Sequence, residues 1–262
     1  MKVKLTNPQY QVSHSQKRFR VLISGRRFGK TYLTIVEMMK QAAIPNQTIW
    51  YVAPSLKMAK EICWSNLKEM LYKYNWVQDI NETTLTIHIR KTNSTISLKG
   101  AENFDSLRGS GINFLILDEF ADIDKRTWTE VLRASVADTK GRVLMCGTPR
   151  GFGNWSYEQY LKGKTDPEWE SFQYTTLEGG MVTKEELDQA KQDIDIRTFR
   201  QEFEGTFENY AGAVYYNFHP VDSVVDKKID FSKPVHIGMD FNVSPMSACV
   251  AQIDKDKVYI VD

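Results

Sequence analysis

Short apolar runs alternate along the chain with longer stretches in which apolar residues recur at helical spacing. Five runs have the length and composition of buried strands, namely RFRVLIS (18–24), TIWYVAP (48–54), NFLILDEF (113–120), RVLMCGTP (142–149) and WESFQYTT (169–176). Helical patterns follow the first two of these runs, at 30–43 and 55–74. Strands that alternate with helices predict a mostly parallel sheet with helices packed on both faces.

The pattern departs from this alternation in two places. TTLTIHIR (83–90) and STISLKG (94–100) alternate apolar and polar residues, which predicts a β-hairpin. After residue 183, amphipathic helices (184–207), an extended connector (211–220), a strand (234–245) and two strand-like runs (247–262) are expected. We therefore expect a core at 1–182, a linker or lid subdomain at 183–233, and the beginning of another domain at 234–262.

The composition is that of an ordinary globular protein without a membrane anchor. Apolar residues make up 42% and charged residues 26% of the 262 residues. No apolar run approaches the roughly 20 residues that a membrane-spanning helix needs, and the N-terminus has no apolar segment of a secretion signal. Cys63, Cys146 and Cys249 lie far apart, so neither a disulfide framework nor a structural zinc site is expected.

The formal net charge of +1 conceals an uneven distribution of charged residues. Residues 1–110 carry 17 Lys and Arg against 7 Asp and Glu, whereas residues 111–262 carry 17 against 26. A basic half is typical of proteins that bind nucleic acid or polyphosphate, but surface charge without any partner gives the same count.

A loop of the sequence SGRRFGKT joins the first predicted strand to the first predicted helix. We call its residues the phosphate loop: Ser24, Gly25, Arg26, Arg27, Phe28, Gly29, Lys30 and Thr31. In this setting, backbone N–H groups and the helix N-terminus bind the phosphates of ATP. Gly29 allows close approach, Lys30 reaches the β- and γ-phosphates, and Thr31 ligates Mg²⁺. Ser24 stands where the strict pattern has glycine. The prediction of a phosphate-binding loop therefore rests on the order of strand, loop and helix.

Two arginines inside the phosphate loop add charge that most such loops leave to the lysine. An arginine here can fold over the γ-phosphate and stabilise the charge that develops on its oxygens. The alternative is that Arg26, Arg27 or both face solvent or DNA. We favour a catalytic or sensing role for at least one of them.

An acidic pair ends the third core strand, since Asp118 and Glu119 follow four apolar residues in NFLILDEF. At the carboxyl edge of a parallel sheet, Asp118 would lie beside the phosphate loop and could hold Mg²⁺. Glu119 could take the proton of an attacking water. Together with the phosphate loop, this pair predicts an α/β P-loop NTPase of the additional-strand, catalytic-glutamate type that hydrolyses ATP.

The next strand ends in CGTPRG (146–151), whose threonine is a candidate sensor. In this class of ATPase that strand lies between the strand of the phosphate loop and the strand of Asp118. Thr148 at its end would therefore face the γ-phosphate and report whether it is present. A plain Thr-Pro turn is the alternative.

Several motifs, in order along most of the chain, resemble the large subunit of tailed-bacteriophage terminases, the motor that packages DNA. PQYQ followed by RFRVLISGRRFGKT resembles the family's adenine-contacting glutamine segment before its arginine-bearing Walker A motif. YVAP follows at the second strand. SLRGSGINFLILDEF is similar to the segment that leads into Walker B, CGTPRG to the coupling motif, EFEGTFENYAGAVYYNF to the linker, and HIGMDFN to the nuclease entrance.

This resemblance implies roles for residues outside the phosphate loop. Gln11 would contact adenine, with Gln9 as a rival, because the spacing between the proline and the glutamine varies. Arg108 would be the arginine finger that reaches the nucleotide of a neighbouring subunit. Asp240 would be the first metal-binding carboxylate of an RNase H-like nuclease domain. Residues 234–262 would supply only its start, so no nuclease activity is expected of this fragment.

The resemblance also implies cofactors, partners and a location. The implied cofactors are ATP and Mg²⁺. The implied partners are double-stranded DNA, a portal protein on which a homo-oligomeric ring of this chain would sit, and the small terminase subunit. The implied location is the host cytoplasm, with no membrane and no structural place in the virion. Two other functions stay open: another P-loop DNA translocase or helicase, and a nucleotide-gated DNA-binding module without turnover. A two-lobed helicase would need a second motor domain, which the pattern after residue 183 does not provide.

Overall fold

The apolar runs form the strands of one large sheet in the computed structural model, which describes residues 3–208, 223–240, 247–255 and 257–261. The chain divides into two compact units, Met1–Tyr210 and Ala211–Asp262. The strands of the first unit are β1 (Phe19–Ser24), β2 (Thr48–Ala53), β3 (Val77–Asn81), β4 (Thr86–Ile89), β5 (Thr95–Gly100), β6 (Phe114–Asp118), β7 (Arg142–Gly147) and β8 (Trp169–Tyr174).

These eight strands pair in the order β3-β4-β5-β2-β6-β7-β1-β8. The six strands from β5 to β8 in this order are parallel, while β3 and β4 add antiparallel pairs at one edge. The mostly parallel sheet and the β4–β5 hairpin are thus confirmed. As predicted, β7 lies between β1 and β6, so the carboxyl ends of these three strands meet at one edge.

Helices pack on both faces of the sheet. They are α1 (Asn7–His14), α2 (Lys30–Ala42), α3 (Leu56–Ala59), α4 (Ser65–Lys73), α5 (Arg133–Ser135), α6 (Trp155–Thr165), α7 (Thr176–Gly179), α8 (Lys184–Asp193) and α9 (Ile196–Phe199). Three π-helical segments adjoin them, namely Lys60–Trp64, Thr127–Leu132 and Arg200–Glu204. The first joins α3 to α4, so the helix predicted at 55–74 contains one widened turn.

Alternate residues of the central strands face opposite layers of the core. Leu22 of β1 packs in one cluster with Leu33 of α2, whereas Val21 and Ile23 pack in the other with Trp128. All six residues of β1 are buried. Burial on both faces explains why the central strands read as unbroken apolar runs.

Helix α1 was not predicted, because its sequence NPQYQVSH has little apolar periodicity. Local capping starts it: the side chain of Gln9 accepts from the N–H of Thr6 at 3.0 Å, and the Thr6 hydroxyl accepts from the N–H of Gln9. A buried arginine then fixes its end. Nη1 of Arg20 donates to the carbonyl of Val12 at 2.9 Å and to Glu37 of α2 at 2.6 Å. Helix α1 is therefore held against α2.

In the region after residue 183, helices α8 and α9 and the segment Arg200–Glu204 match the predicted amphipathic helices. The second unit contains β9 (His236–Asp240), β10 (Ser247–Asp254) and β11 (Lys257–Ile260), paired antiparallel in the order β11-β10-β9. These match the strands predicted after residue 234.

The connector predicted at 211–220 lies outside the described residues. The three-part division into 1–182, 183–233 and 234–262 stays a prediction. Within the described parts of the chain, no helix is both long and apolar enough to span a membrane.

Candidate active site

The phosphate loop follows β1 directly and leads into α2, as the sequence predicted. Gly29 has φ 94°, in the left-handed region, and a Cβ atom there would lie 2.6 Å from Nε2 of Gln9. A Cβ atom at Gly25 would lie 2.4 Å from the backbone oxygen of Phe203. Glycine is therefore required at both positions. Ser24, at the end of β1, is fully buried and its hydroxyl lies 3.4 Å from the carbonyl of Gly25.

The ammonium group of Lys30 lies among the ends of the central strands. Its Nζ donates to the backbone oxygen of Gly25 and to Oγ1 of Thr148, both at 3.4 Å, and lies 3.8 Å from Oε1 of Glu119. Lys30 is only 9% exposed. Because a buried ammonium group is costly unless it is paired, the site is suited to a strong anionic partner such as a phosphate.

Thr148 follows β7 and connects the lysine to the acidic pair. Its side chain is 2% exposed, its hydroxyl accepts from Lys30, and its backbone N–H donates to Oε2 of Glu119 at 3.2 Å. The threonine proposed as a sensor thus contacts the two residues that were expected to bind and hydrolyse the nucleotide.

Glu119 follows β6 in a left-handed backbone conformation, with φ 48°. This conformation costs roughly 1–2 kcal/mol for a residue with a Cβ atom, and such strain is concentrated at functional sites. Burial raises the pKa of Glu119, while the charge of Lys30 opposes the rise. A carboxylate whose pKa is raised toward the working pH is a better general base than an exposed one.

Asp118 ends β6 and is almost completely buried. Its Oδ2 accepts a hydrogen bond from the hydroxyl of Tyr51. Its Oδ1 accepts from Sγ of Cys146 at 3.2 Å and from the N–H of Glu119 at 3.1 Å. Three donors therefore hold this carboxylate in place.

The oxygen groups at this edge fit a magnesium ion. Magnesium prefers oxygen ligands, often one or two carboxylates together with substrate phosphates. The half-buried Thr31 begins α2 with Lys30. A carboxylate has about four acceptor positions, and within the described part of the chain Asp118 uses three of them. Among these residues, one position on Asp118 is left for the cation or for a water that it holds.

The two arginines of the phosphate loop differ in their surroundings. Arg26 is exposed and forms an ion pair with Glu202, and its backbone N–H donates to the carbonyl of Glu202 at 2.7 Å. Arg27 is exposed, has φ 61°, and lines the cavity beside the loop. The role of either arginine toward a γ-phosphate stays a prediction.

The two candidate adenine-contacting glutamines also differ. Gln9 is 4% exposed, and its Nε2 donates to the carbonyl of Gly29 at 3.3 Å. Gln11 is exposed, and its Oε1 accepts from the hydroxyl of Tyr174 at 2.5 Å. Tyr174 in turn stacks on Phe28 of the phosphate loop, with ring centroids 5.5 Å apart. Both glutamines therefore lie next to the phosphate loop or to a residue packed on it.

Arg108 and Asp240 belong to other segments of the chain. Arg108 is exposed in the loop before β6, where its Nε donates to Asp105 at 3.0 Å and its Nη1 to the carbonyl of Glu130 at 3.2 Å. It is not among the described residues that line the cavity. Asp240 ends β9 in the second unit. The finger role of Arg108 and the metal-binding role of Asp240 stay predictions.

A cavity of about 730 Å³ opens beside the phosphate loop. It is lined by residues of the phosphate loop, the start of α2, the π-helical segment before α4, α4 itself, one member of the acidic pair and one residue after α7. These residues are Arg26, Arg27, Phe28, Gly29, Lys30, Thr31, Tyr32, Ile35, Ile62, Asn66, Glu69, Met70, Glu119 and Met181. Its size is in the range of small-molecule sites, and Lys30 and Glu119 both reach it.

Sequence reasoning missed two side chains that the structure places at this site. Arg150 binds both carboxylate oxygens of Asp122 at 2.9 Å and lies 3.3 Å from Glu202, which also pairs with Arg26. The sequence feature that could have pointed to Arg150 was its position directly after the Thr-Pro dipeptide. The second missed side chain is Tyr51, and the feature that could have pointed to it was a phenol in a strand that is otherwise mostly aliphatic.

The parallel sheet, the phosphate loop and the acidic strand end define a P-loop NTPase fold. Residues 21–219 match the family model described as "Terminase large subunit, T4likevirus-type, N-terminal". This match covers more than half of the chain, and the chain belongs to that family.

Curated relatives agree with this assignment. The terminase large subunit of Escherichia phage T5 is 29% identical over an alignment of 216 residues that covers 80% of this chain and 49% of the relative. That of Thermus phage G20c is 27% identical over 241 residues, covering 79% of this chain and 49% of the relative. This chain therefore spans about half the length of the curated relatives it matches.

Solved structures agree on the fold. The large terminase ATPase domain of Thermus phage P74-26 superimposes with a TM-score of 0.69 at 25% identity, covering 78% of this chain and 94% of that domain. The large terminase of a thermophilic bacteriophage, solved in complex with ADP, superimposes with a TM-score of 0.69 at 15% identity, over 99% of this chain and 69% of that protein.

Proposed function

We propose that this chain binds ATP with Mg²⁺, hydrolyses it, and uses the reaction to move double-stranded DNA in viral DNA packaging. The observation that carries the proposal is the position of Lys30, between Thr148 and Glu119 at the edge where β1, β6 and β7 end. Membership of the terminase family and the likeness to a phage ATPase domain support it.

In the proposed reaction a water oxygen attacks the γ-phosphorus of ATP. Glu119 takes a proton from that water, and the bond between the γ-phosphorus and the β–γ bridging oxygen breaks, so that ADP leaves with the bonding electrons. Lys30 would neutralise charge on the β- and γ-phosphates. The contact between Thr148 and Glu119 holds the base beside the lysine.

Thr31 and Asp118 would hold the magnesium ion. When bound, the ion would neutralise phosphate charge and orient the phosphates. Ser24, Gly25, Phe28 and Gly29 complete the loop around the phosphates, and Gln11, with Gln9 as its rival, would contact the adenine. We infer these roles from the lining of the cavity by Phe28, Gly29 and Thr31, and from the bonds of the two glutamines to the loop and to the tyrosine packed on it.

The motor function would require partners. We propose double-stranded DNA as the substrate that is moved, a homo-oligomeric ring seated on a portal protein, and cooperation with the small terminase subunit in the host cytoplasm. Arg108 would reach the nucleotide site of a neighbouring subunit, and its exposed position is compatible with that. Asp240 would belong to an RNase H-like nuclease domain.

Steady-state phosphate release with Mg²⁺ and ATP tests the proposal. The parent chain should release phosphate, and Lys30→Ala should abolish release and weaken ATP binding. Lys57→Ala is the matched control, since Lys57 is 84% exposed and far in sequence from the loop. If the parent binds ATP without phosphate release, with or without DNA, the alternative of a nucleotide-gated DNA-binding module would be correct instead.

A further inference from the structure

A buried tyrosine on β2 holds the carboxylate that ends β6. Tyr51 has no exposed surface, and its hydroxyl donates to Oδ2 of Asp118. Cys63 and Cys146 are also fully buried in the core cluster that contains Tyr51. Tyr51 has no role in the steps of ATP hydrolysis proposed above.

The strand register brings these groups together. Tyr51 of β2 pairs with Ile116 of β6, and Asp118 lies two residues further on, so Tyr51 and Asp118 point to the same face of the sheet. Cys146 of β7 is directly opposite Asp118. The carboxylate is therefore contacted from both neighbouring strands, by a phenol on one side and a thiol on the other.

The two oxygens of Asp118 are used unequally. Oδ1 accepts from Cys146 and from the N–H of Glu119, which together fill its two acceptor positions. Oδ2 accepts from Tyr51 within the described structure. One acceptor position is therefore left on this carboxylate, and it is on the oxygen that Tyr51 holds.

We propose that Tyr51 is a positioning residue for the divalent cation that accompanies ATP: its hydroxyl fixes the rotation of the Asp118 carboxylate and keeps one acceptor position of Oδ2 available to the cation or to a water that it holds. This inference rests on the proposed function, in which Asp118 binds Mg²⁺. Groups that hydrogen-bond to a ligating carboxylate typically change metal affinity by about 10–100-fold when they are removed.

Tyr51→Phe tests the proposal, because phenylalanine keeps the ring and removes only the hydroxyl. ATP binding is measured by calorimetry, first in excess EDTA and then over a titration of Mg²⁺, and thermal unfolding checks that the variant is folded. In EDTA the affinity for ATP should stay within about twofold of the parent, whereas the Mg²⁺ concentration for half-maximal stimulation of binding should rise about tenfold or more. Tyr72→Phe, at a tyrosine that is 60% exposed, is the matched control and should follow the parent.

A double variant distinguishes positioning of the Asp118 carboxylate by Tyr51 from a general effect of Tyr51 on core packing. In an Asp118→Asn background, Tyr51→Phe should cause no further shift in the Mg²⁺ dependence, because the charged carboxylate that it positions is gone. An equal loss of ATP affinity with and without Mg²⁺, or an unchanged Mg²⁺ dependence, would overturn the proposal. A parent chain that binds no ATP, or whose ATP binding ignores Lys30→Ala, would instead overturn the proposed function.

Discussion

Nζ of Lys30 lies 3.4 Å from Oγ1 of Thr148, across the gap between the start of α2 and the end of β7. The backbone N–H of the same threonine donates to Glu119. A phosphate that binds Lys30 would compete for the bond to the Thr148 hydroxyl. Thr148 is thus placed to respond to the nucleotide and to affect the residue proposed as the base.

Removing the Thr148 hydroxyl should therefore slow ATP turnover without a comparable loss of ATP binding. We expect Thr148→Val to leave the KM for ATP within a few-fold of the parent and to lower kcat about tenfold, the effect of one lost hydrogen bond to a charged group. Steady-state kinetics measure both constants. Thr129→Val is the control, because Thr129 is exposed and its hydroxyl donates to the carbonyl of Lys125. A raised KM at unchanged kcat would assign Thr148 to binding alone.

The raised pKa of Glu119 predicts a cost in stability at neutral pH. A carboxyl whose pKa is higher in the folded than in the unfolded chain favours folding when protonated, and this contribution is lost as the pH rises through the folded-state pKa. Glu119→Gln is neutral at every pH. Without nucleotide, its melting temperature should exceed that of the parent at about pH 8, and the difference should shrink toward about pH 4.

Thermal unfolding over that pH range measures the difference. Glu61→Gln, at a glutamate that is 64% exposed, should show no comparable trend. A difference that grows toward low pH would mean that the carboxylate of Glu119 is stabilised, not destabilised, by its surroundings in the fold.

The two glutamines near the phosphate loop should have separable effects. Both ends of the Gln9 amide are already bonded within the protein, to Thr6 and Gly29, so Gln9→Ala should weaken binding of ATP and GTP alike. Gln11 is exposed and bonded at its oxygen to Tyr174. Gln11→Ala should therefore reduce the preference for ATP over GTP. Competition binding with both nucleotides measures this, and loss of the preference in Gln9→Ala alone would reverse the assignment.

The large parallel sheet could be predicted from the sequence, because its central strands are buried on both faces and therefore appear as apolar runs. The strand–loop–helix context also predicted the phosphate loop, because Gly29 and Lys30 act through local backbone geometry. Helix α1 was missed because its sequence has little apolar periodicity, and a contact from outside the helix, from Arg20 to the carbonyl of Val12, helps to hold it. The role of Tyr51 was likewise hidden, since its bond to Asp118 joins residues 67 positions apart.

Arg108 gives a prediction about assembly. Its side chain is exposed, and its described hydrogen bonds go to Asp105 and to the carbonyl of Glu130. An arginine finger supplied in trans is worth about 10³–10⁵ in rate in GTPases. We therefore expect the chain alone to be a slow ATPase whose specific activity rises with protein concentration.

Mixing two inactive variants tests this finger directly. Arg108→Ala keeps the phosphate loop but lacks the finger, whereas Lys30→Ala keeps the finger but lacks the loop's cation. Under assembling conditions the mixture should regain part of the phosphate release that each variant lacks alone. A mixture as inactive as its components would exclude a trans role for Arg108, and Arg26 or Arg27 would become the leading candidate.

In the proposed reaction Lys30 binds the phosphates while Glu119 activates the water. Glu119→Gln keeps the shape of the side chain and its acceptor oxygen but removes the base. The most direct measurement is a single-turnover assay that follows ATP binding and phosphate formation in the same sample. Glu119→Gln should bind ATP within a few-fold of the parent affinity and form phosphate at least about 100-fold more slowly. Phosphate formation by Glu119→Gln at the parent rate would show that Glu119 is not the base.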